Sequence, residues 1–513
     1  VNLLDRYIIA PLAPGWAARR ARARALFAYY EAAVPSRTRK TRTGSKSANA
    51  ENERAGVALR VQARHLDENF DIASGALDVL VNNVVGTGIF PEPQVELVGG
   101  ELASEFNRDL LTLWDDWIHS PEVSRQMDYA TCQQIAARAW FRDGEMFAQR
   151  IIGTVPGLDH NTKLPYSLEM LEADLVPYDL TDISRGITQG VEINAWGAPR
   201  AYWAYKQHPG DAHLATSSTD LKRITADRML HLKAMKRFHQ VRGISVFASA
   251  MNRLDDIKEI DESERVAARV AAAMAAYIKK GTPDLYEAPT LNSDGTAQSR
   301  QMEFAPGMVF DDLLPGEDIG TIDTKRPNNA LIPFRDAQLR AAAGGIGAGF
   351  SSTSKNYNGT YSAQRQELVE QYVNYRRLTG QFIYRLCQPV WDGFIDATLA
   401  SGAATVPRGV NRDTLYNATH TAPPMPWIDP VKELEAAEIA QDRGYTSRSR
   451  IIRERGDNPD QINREIARDK SEQERLGLQF AVGTAAKTPA ANEPAPPNSN
   501  QDPPPASRQR ARK

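Results

Sequence analysis

Seven of the ten residues from Ala267 to Ala276 are alanine: Ala267, Ala268, Ala271, Ala272, Ala273, Ala275 and Ala276. Alanine has the best helix propensity and removes side-chain bulk. Such a segment extends a helix but has little with which to build its own core, so its surface is open to close approach by a neighbour. Upstream, apolar spacing predicts that the longest helix of the chain runs from Ser245 to Lys280. From Ile257 it counts 24 residues, roughly 36 Å at ~1.5 Å per residue. Asp255, Asp256, Glu259, Asp261, Glu262 and Glu264 gather in its N-terminal half, the end where the helix dipole favours negative charge. The helix is either an ordinary core element or one that packs side by side with copies of itself.

The segments after it are sharply punctuated. Gly and Pro recur from Gly281 to Pro327, and Met302–Phe304, Met308–Phe310 and Ile319–Ile322 are short strand candidates. Glu303, Asp311, Asp312, Glu317, Asp318 and Asp323 lie there without a Lys or Arg between the first and the last. This predicts a small acidic β module between two helices. The second helix is expected from Phe334 to about Ala343, broken by the Gly-rich run Gly344 to Gly349. Ser351 to Thr360 then reads as a polar loop whose one charge is Lys355. A long helical stretch follows from Tyr361 to Thr398, with Gly380, Pro389 and Gly393 as expected bends. Leu434–Asp442 and Gln461–Leu476 are further helices. From Ala481 the chain is Ala, Pro, Asn, Ser and Gln with seven prolines by Pro505, a composition that predicts a disordered tail.

Ahead of the long helix, residues 57–250 mix periods. Val57–Leu66, Glu101–Ile118 and Tyr129–Phe141 have helical spacing. Glu145–Gly153, Tyr166–Leu171, Gly190–Ile193 and Arg200–Lys206 are strand-like, with Asn194 to Gly197 as a hairpin turn. Trp114, Trp117, Trp140, Trp196 and Trp203 are expected mostly in the core. Gly75 to Phe90 is the most apolar run, but Asp78, Asn82 and Asn83 argue against a membrane span. The fold class read from these periods is α+β.

Charge divides the chain. Arg19 to Lys46 carries nine basic residues and one acid, Glu31, and the last six residues carry four more basic ones. Against a net charge of −2, that leaves −14 for the body. An acidic body does not suit a protein that grips nucleic acid with its folded surface. The basic arm is either a solvated loop or an electrostatic contact with nucleic acid or an acidic partner. Cys132 and Cys387 are too few for a disulfide framework or a zinc cluster and are expected to be buried apolar groups in a reducing interior. The N-terminal stretch, with its arginines after its apolar residues, does not match a secretory signal.

Catalytic signatures are absent from the sequence. There is no G-x-x-x-x-G-K-[ST], no H-E-x-x-H and no G-x-S-x-G, and Gly345, Gly347 and Gly349 give G-x-G-x-G rather than a dinucleotide fingerprint. The eight histidines lack metal-ligand spacing, and the acids from Asp311 to Asp323 lack the EF-hand order. No enzyme, metal or cofactor is predicted.

The order of parts nevertheless resembles the tailed-phage portal proteins of the lambda type. The resemblance rests on Tyr30-Glu-Ala-Ala33, Ala63-Arg64-x-Leu66-x-x-Asn69, Val84 to Ile89, Phe141-Arg-Asp-Gly-Glu145 and Gly190-Val-Glu-x-Asn194-x-x-Gly197-x-Pro199. It continues with Arg237-x-His-Gln-Val-Arg-Gly-Ile-Ser245, Pro306-Gly307, Leu314-Pro-Gly-Glu317, Asn356-Tyr357, Thr360 to Arg365, and Trp427-Ile-Asp-Pro-x-Lys-Glu433. Asn358-Gly359 interrupts the tyrosine motif, and the Pro-rich tail is outside the pattern. The resemblance implies a ring, usually of twelve subunits, at one capsid vertex, through which double-stranded DNA is packaged, retained and ejected. It implies a basic N-terminal arm (1–56), a mixed α/β wing (57–256) and a first stem helix (257–280). A clip (281–330), a second stem helix (331–350), a tunnel loop (351–360), a wing return with crown helices (361–480) and a tail (481–513) follow. The implied partners are further copies, DNA, the large terminase subunit, a major capsid or scaffold protein and a head-completion or adapter protein, with no membrane. Lys355, Asn356 and Ser354 are then expected to face DNA. Asp311, Asp312, Glu317 and Asp318 are expected to dock a partner, and Ala268, Ala272 and Ala276 to pack between subunits. The alternatives are a metal-dependent DNA-processing enzyme and another head–tail connector.

Overall fold

The computed structural model describes residues 45–211, 221–272, 276–280, 317–321, 330–426 and 429–478, with residues 15, 16 and 19. Apart from residues 15, 16 and 19, the expected arm up to residue 44 lies outside the described residues, as do most of the expected clip and the Pro-rich tail. The chain forms two units, 1–456 and 457–513.

Ser47 opens helix α1 (Ala48–Asn69), its Oγ accepting from the Ala50 N–H. Helix α2 (Asp71–Val84) buries Ala73, Ala76, Leu77, Leu80, Val81 and Val84, the stripe of an amphipathic helix against a core. This is the run that most resembled a membrane span, and no described helix is long and apolar enough to cross one. Strand β1 (Phe90–Pro93), helix α3 (Ser104–Trp117) and helix α4 (Tyr129–Asp143) follow. Asp128 caps α4 through the Thr131 N–H, and Gly144, at φ +89°, ends it in the left-handed region.

Seven strands come next: β2 (Glu145–Ile152), β3 (Tyr166–Leu171), β4 (Ile187–Thr188), β5 (Val191–Ile193), β6 (Pro199–Tyr205), β7 (Leu221–Thr225) and β8 (Met229–Lys233). They make two antiparallel sheets, ordered β3–β2–β8 and β4–β5–β6–β7. The turn between β5 and β6 is where the sequence put it, with Asn194 Oδ1 accepting from the N–H groups of Trp196 and Ala198, both at 2.9 Å. Strands β7 and β8 are not legible in the sequence, being short and carrying Lys222, Arg223, His231 and Lys233 among their apolar residues.

The expected stem helix is shorter than predicted. Helix α5 runs from Met251 to Ala272, and Ala276–Lys280 is strand β9, paired antiparallel with strand β10 (Glu317–Thr321). The alanine run therefore spans the end of a helix and the start of a ribbon. Propensity favoured continuing the helix, and strand pairing with residues some 40 positions away prevailed. Helix α6 (Leu331–Ile346) passes through Gly344 and Gly345 and ends at Gly347, so the break comes three residues later than the first glycine. The expected loop begins as a short helix, α7 (Phe350–Ser354). Helix α8 (Tyr361–Phe382) joins helix α9 (Gln388–Ser401) through a π-helical turn, Ile383–Cys387, in place of the expected bend at Gly380. Strand β11 (Ala418–Thr421) pairs with β1 and ties the return segment to the start of the fold. Helices α10 (Pro430–Asp442) and α11 (Arg448–Glu454) complete the first unit, and α12 (Pro459–Leu476) is the one described helix of the second.

The principal core is aromatic. Trp114, Trp117, Tyr129, Trp391 and Phe394 pack with ring centroids 4.9–6.0 Å apart, and Tyr166 stacks on Trp117 at 5.1 Å. Such rings combine large buried area with directional contact. Trp117 Nε1 donates to the Tyr166 carbonyl at 2.9 Å, and Tyr166 Oη donates to the Val390 carbonyl at 3.1 Å. Trp196 departs from the expectation for tryptophan, being 90% exposed. A second, smaller core with Phe147, Val176, Val191, Tyr202 and Met229 lies between the two sheets.

Three of the segments that carry the family resemblance meet around one buried arginine. Arg242 is fully buried and donates to Glu145 Oε1 from Nε at 2.8 Å, with Nη2 at 2.7 Å from the same oxygen. Its other N–H groups reach the carbonyls of Val176 (3.0 Å), Gln189 (2.8 Å) and Ala173 (3.2 Å), and Tyr178 lies 4.1 Å below its plane. Glu145 Oε2 accepts from the Gly243 N–H at 2.8 Å and faces His231 Nε2 at 3.1 Å. Every charged group is answered, as burial requires. Beside it Arg64 chelates Asp143 at 2.8–3.3 Å. The glycines of the two motifs touch: a Cβ on Gly243 would fall 2.0 Å from the Gly144 carbonyl oxygen, and one on Gly144 would fall 2.3 Å from the Ile244 carbonyl carbon.

Candidate nucleic-acid interface

Helices α5 and α6 run antiparallel. Arg335 makes a forked contact with Asp261 at 2.7–3.0 Å, Arg253 Nη1 donates to Gln338 Oε1 at 2.9 Å, and Ser249 Oγ donates to the Gly345 carbonyl at 3.2 Å. Asp261 holds the Arg335 guanidinium above its ordinary pKa. The pair buries Leu254, Ile257, Leu339, Ala342 and Ile346. It leaves Ala268, Ile332, Phe334, Ala337, Ala341 and Gly344 exposed, beside the exposed acids Asp255, Asp256, Glu259 and Glu262.

The segment after α6 is pinned from several sides. Gly347, at φ +87°, caps α6 by donating to the Ala343 carbonyl, and its own carbonyl accepts from Asn374 Nδ2 at 2.9 Å. Gly349 N–H donates to Tyr375 Oη at 3.2 Å. The Glu367 carboxylate accepts from Ser351 N–H (3.0 Å) and Oγ (2.6 Å) at the start of α7. Lys355 then ends α7 at φ +54° with its side chain exposed. Thr360 caps α8 through the Ala363 N–H. Between these anchors Lys355, Tyr357, Asn358 and Gly359 face solvent.

The three residues expected to face DNA therefore differ. Lys355 is presented outward in the left-handed conformation. Ser354 Oγ donates back to the Phe350 carbonyl at 2.8 Å, and Asn356 donates to Asp336 Oδ2 at 3.3 Å while accepting from the Asn358 N–H at 3.1 Å. Both half-buried side chains shape the loop that displays Lys355. Glu367 and Asn374, which hold the segment from α8, were not legible in the sequence, because only the fold brings them to it.

Of the expected packing alanines, Ala268 is on the exposed face of α5, Ala272 is its last residue, and Ala276 begins β9 rather than lying on the helix. Asp311 and Asp312 lie outside the described residues. Glu317 and Asp318 are in β10, in register with Lys280 and Lys279 of β9.

One group of ligand-type residues escaped the sequence reading. Glu172, Asp174 and His208 bring an oxygen, an oxygen and a nitrogen within 4.8 Å of one another. Asp174 already lies 3.2 Å from Arg60 and 2.5 Å from Arg64, and His208 Nε2 is 3.3 Å from Glu172. Two guanidinium groups on one carboxylate oppose a further cation there, and the group reads as an ion-pair cluster.

Comparison with known proteins gives the family of the chain. The profile of the phage portal protein, lambda family, matches residues 35–378. The probable portal protein of Halomonas phage phiHAP-1 is 24% identical over 461 residues, covering 87% of this chain and 86% of that one. Portal protein B of Escherichia phage lambda is 21% identical over 464 residues, covering 83% and 85%. A solved chain from the neck of a native GTA particle aligns with 12% identity and a TM-score of 0.42, over 83% of this chain and 94% of that one. With the family profile matched over well more than half its length, the chain belongs to the lambda family of phage portal proteins.

Proposed function

We propose that copies of this chain, twelve by the family resemblance, close into a ring at one capsid vertex and conduct double-stranded DNA through its axis. The observation that carries the reading is the α5–α6 pair. It leaves small and apolar residues on its outer surface and leads into a pinned loop that displays a single lysine. Copies set side by side would cover Ala268, Ala337 and Ala341 and align one Lys355 per subunit in a sparse positive girdle. Each phosphate held by Lys or Arg adds salt-dependent affinity. An acidic body with few inward cations lets DNA slide where a basic wall would hold it. The family is structural, and the chain is read as a channel without its own motor. A separate terminase would dock on the clip through Asp311, Asp312, Glu317 and Asp318, with capsid or scaffold and head-completion proteins bound elsewhere on the ring. Native mass spectrometry of the purified full-length chain tests the assembly. A closed oligomer of about twelve 56.8-kDa chains supports it. A monomer or dimer at every concentration refutes it.

A further inference from the structure

Phe238, Ile183 and Trp196 are 96%, 92% and 90% exposed, more than any other large apolar side chain among the described residues. They share one end of the four-stranded sheet. The Ile183–Arg185 turn leads through Gly186, whose carbonyl accepts from the Ile193 N–H at 2.9 Å, so it lies beside the end of β5. The Trp196 turn springs from that same strand end. A Cβ on Gly197 would lie 3.8 Å from His239 Nδ1, which puts the Phe238 loop against the turn.

The Phe238 loop is rigid. Gln240 Oε1 accepts from the N–H groups of Lys236 (3.0 Å) and Arg237 (3.3 Å), and its Nε2 donates to the carbonyls of Ala234 (3.2 Å) and Arg242 (2.8 Å). Lys233 Nζ holds the carbonyls of Gln240 (3.0 Å) and Val241 (2.8 Å), and Asn49 holds that of His239 at 3.0 Å. His239 sits at φ +60°, a conformation that L side chains rarely adopt. A loop fixed this thoroughly around an aromatic ring in water has the form of a preorganised anchor, because the ordering cost of binding is already met. Arg185, Arg200, Lys236 and Arg237 are exposed around the three side chains. Of the nearby acids, Glu192 pairs with Arg223 at 2.9–3.1 Å and Glu51 with Arg237 at 3.1 Å, while Asp182 accepts from Ser184 at 2.6 Å and keeps its charge. Arg185, Arg200 and Lys236 outnumber that one carboxylate, so the rim is basic.

Elsewhere on the chain α10 is its complement. This helix of 13 residues has no buried residue, yet it carries Val431 (66% exposed), Leu434 (46%) and Ile439 (56%). It carries four acids, Glu433, Glu435, Glu438 and Asp442, and one lysine, Lys432, which pairs with Asp429 at 2.8 Å. Helices near this length are marginal in water without a packing partner.

We propose that α10 of one copy docks on the Ile183–Trp196–Phe238 patch of the next copy around the ring. The contact is heterologous: each subunit offers the helix on one side and the patch on the other, the arrangement that closes rings. The inference rests on the ring reading, and its test separates the two. Full-length chains carrying Phe238→Cys are mixed with chains carrying Leu434→Cys and oxidised, the native Cys132 and Cys387 being buried. The expected product is a disulfide between two chains, mapped to 238 and 434 by mass spectrometry, that needs both variants. Paired Arg185→Glu and Lys236→Glu substitutions lower its yield about tenfold, and added Glu435→Lys and Glu438→Lys substitutions restore it to within about twofold. Rings that form without this adduct, or with residue 238 joined to the N-terminal arm, the stem or another segment, overturn the docking and leave the ring standing. Wild-type chains that form no ring overturn both.

Discussion

Acid should unfold this protein through two imidazoles, the buried His231 and the half-buried His420. His231 stacks on Phe147 at 4.2 Å and meets Tyr202 edge-on at 5.5 Å. Burial pulls its pKa down to about 4, against the pull of Glu145, and burial does the same to His420. An exposed, unfolded histidine titrates near its ordinary 6.5. Between those values the unfolded chain binds more protons than the native one, so stability falls as pH falls. Each group contributes about 3 kcal/mol between pH 7 and pH 4, at roughly 1.4 kcal/mol per unit. That is a large share of a typical total of about 5–15 kcal/mol. His231→Gln keeps a donor for Glu145 but loses the ring contacts, at about 0.5–1.5 kcal/mol near pH 7. Its stability should then fall less steeply on acidification, and the variant should overtake the wild type before pH 4.5. Glu145 acts in a lower window. Burial would raise its carboxyl pKa, but Arg242 and His231 hold it well below the carboxylate range. Its contribution is present at neutral pH and is lost as the pH falls below the ordinary glutamate value of 4.5. The assay is urea denaturation of the full-length chain from pH 7.5 to pH 4.5, read by fluorescence of the buried tryptophans. Parallel pH slopes for the wild type and His231→Gln would refute the reasoning.

Gly144→Ala and Gly243→Ala should each cost more than about 3 kcal/mol, because the added methyl meets backbone and not a movable side chain; soluble yield and thermal melting read this directly. Lys355→Gly and Lys355→Ala both remove the charge, but only glycine relaxes the left-handed residue, by about 1 kcal/mol. Both should shorten the DNA retained in particles, while only Lys355→Gly raises melting temperature; full-length retention would remove Lys355 from the channel. Ala268→Leu with Ala272→Leu should overpack the proposed contact between neighbouring α5 helices, at about 1–3 kcal/mol per site, and leave fewer complete rings by light scattering. Ala276→Leu, in the ribbon, should leave ring yield unchanged. Reversing Asp311 and Asp312 should weaken terminase capture on beads, and makes a cleaner test than reversing Glu317 and Asp318, whose register partners are lysines.

Much of the architecture was legible because periodicity and punctuation agree. Strand β3 has the expected bounds, and helices α3 and α4 differ from theirs by three residues or fewer. The Asn194 turn was readable because its side chain makes the turn's own hydrogen bonds. The alanine run misled for a physical reason: local propensity favours helix, but β9 is defined by a partner strand distant in sequence. The π-helical turn at Ile383–Cys387 has no local signature of the kind proline or glycine provides. Lys355 could be singled out as the one charge in a polar stretch. The side chains that fix its loop could not, since Asp336, Glu367 and Asn374 reach it only through the packing of α6 and α8. The quoted motifs around Glu145 and Arg242 turn out to be architectural, closing a buried charge network that ties α4, the two sheets and the segment before α5 together.

The most direct test of the account is an electron-microscopy reconstruction of the purified full-length protein with DNA. The expected result is a closed ring with an axial hole, the α5–α6 pairs side by side around it and Lys355 at its narrowest level. A ring with Lys355 on the outer surface, or particles without an axial opening, would contradict it.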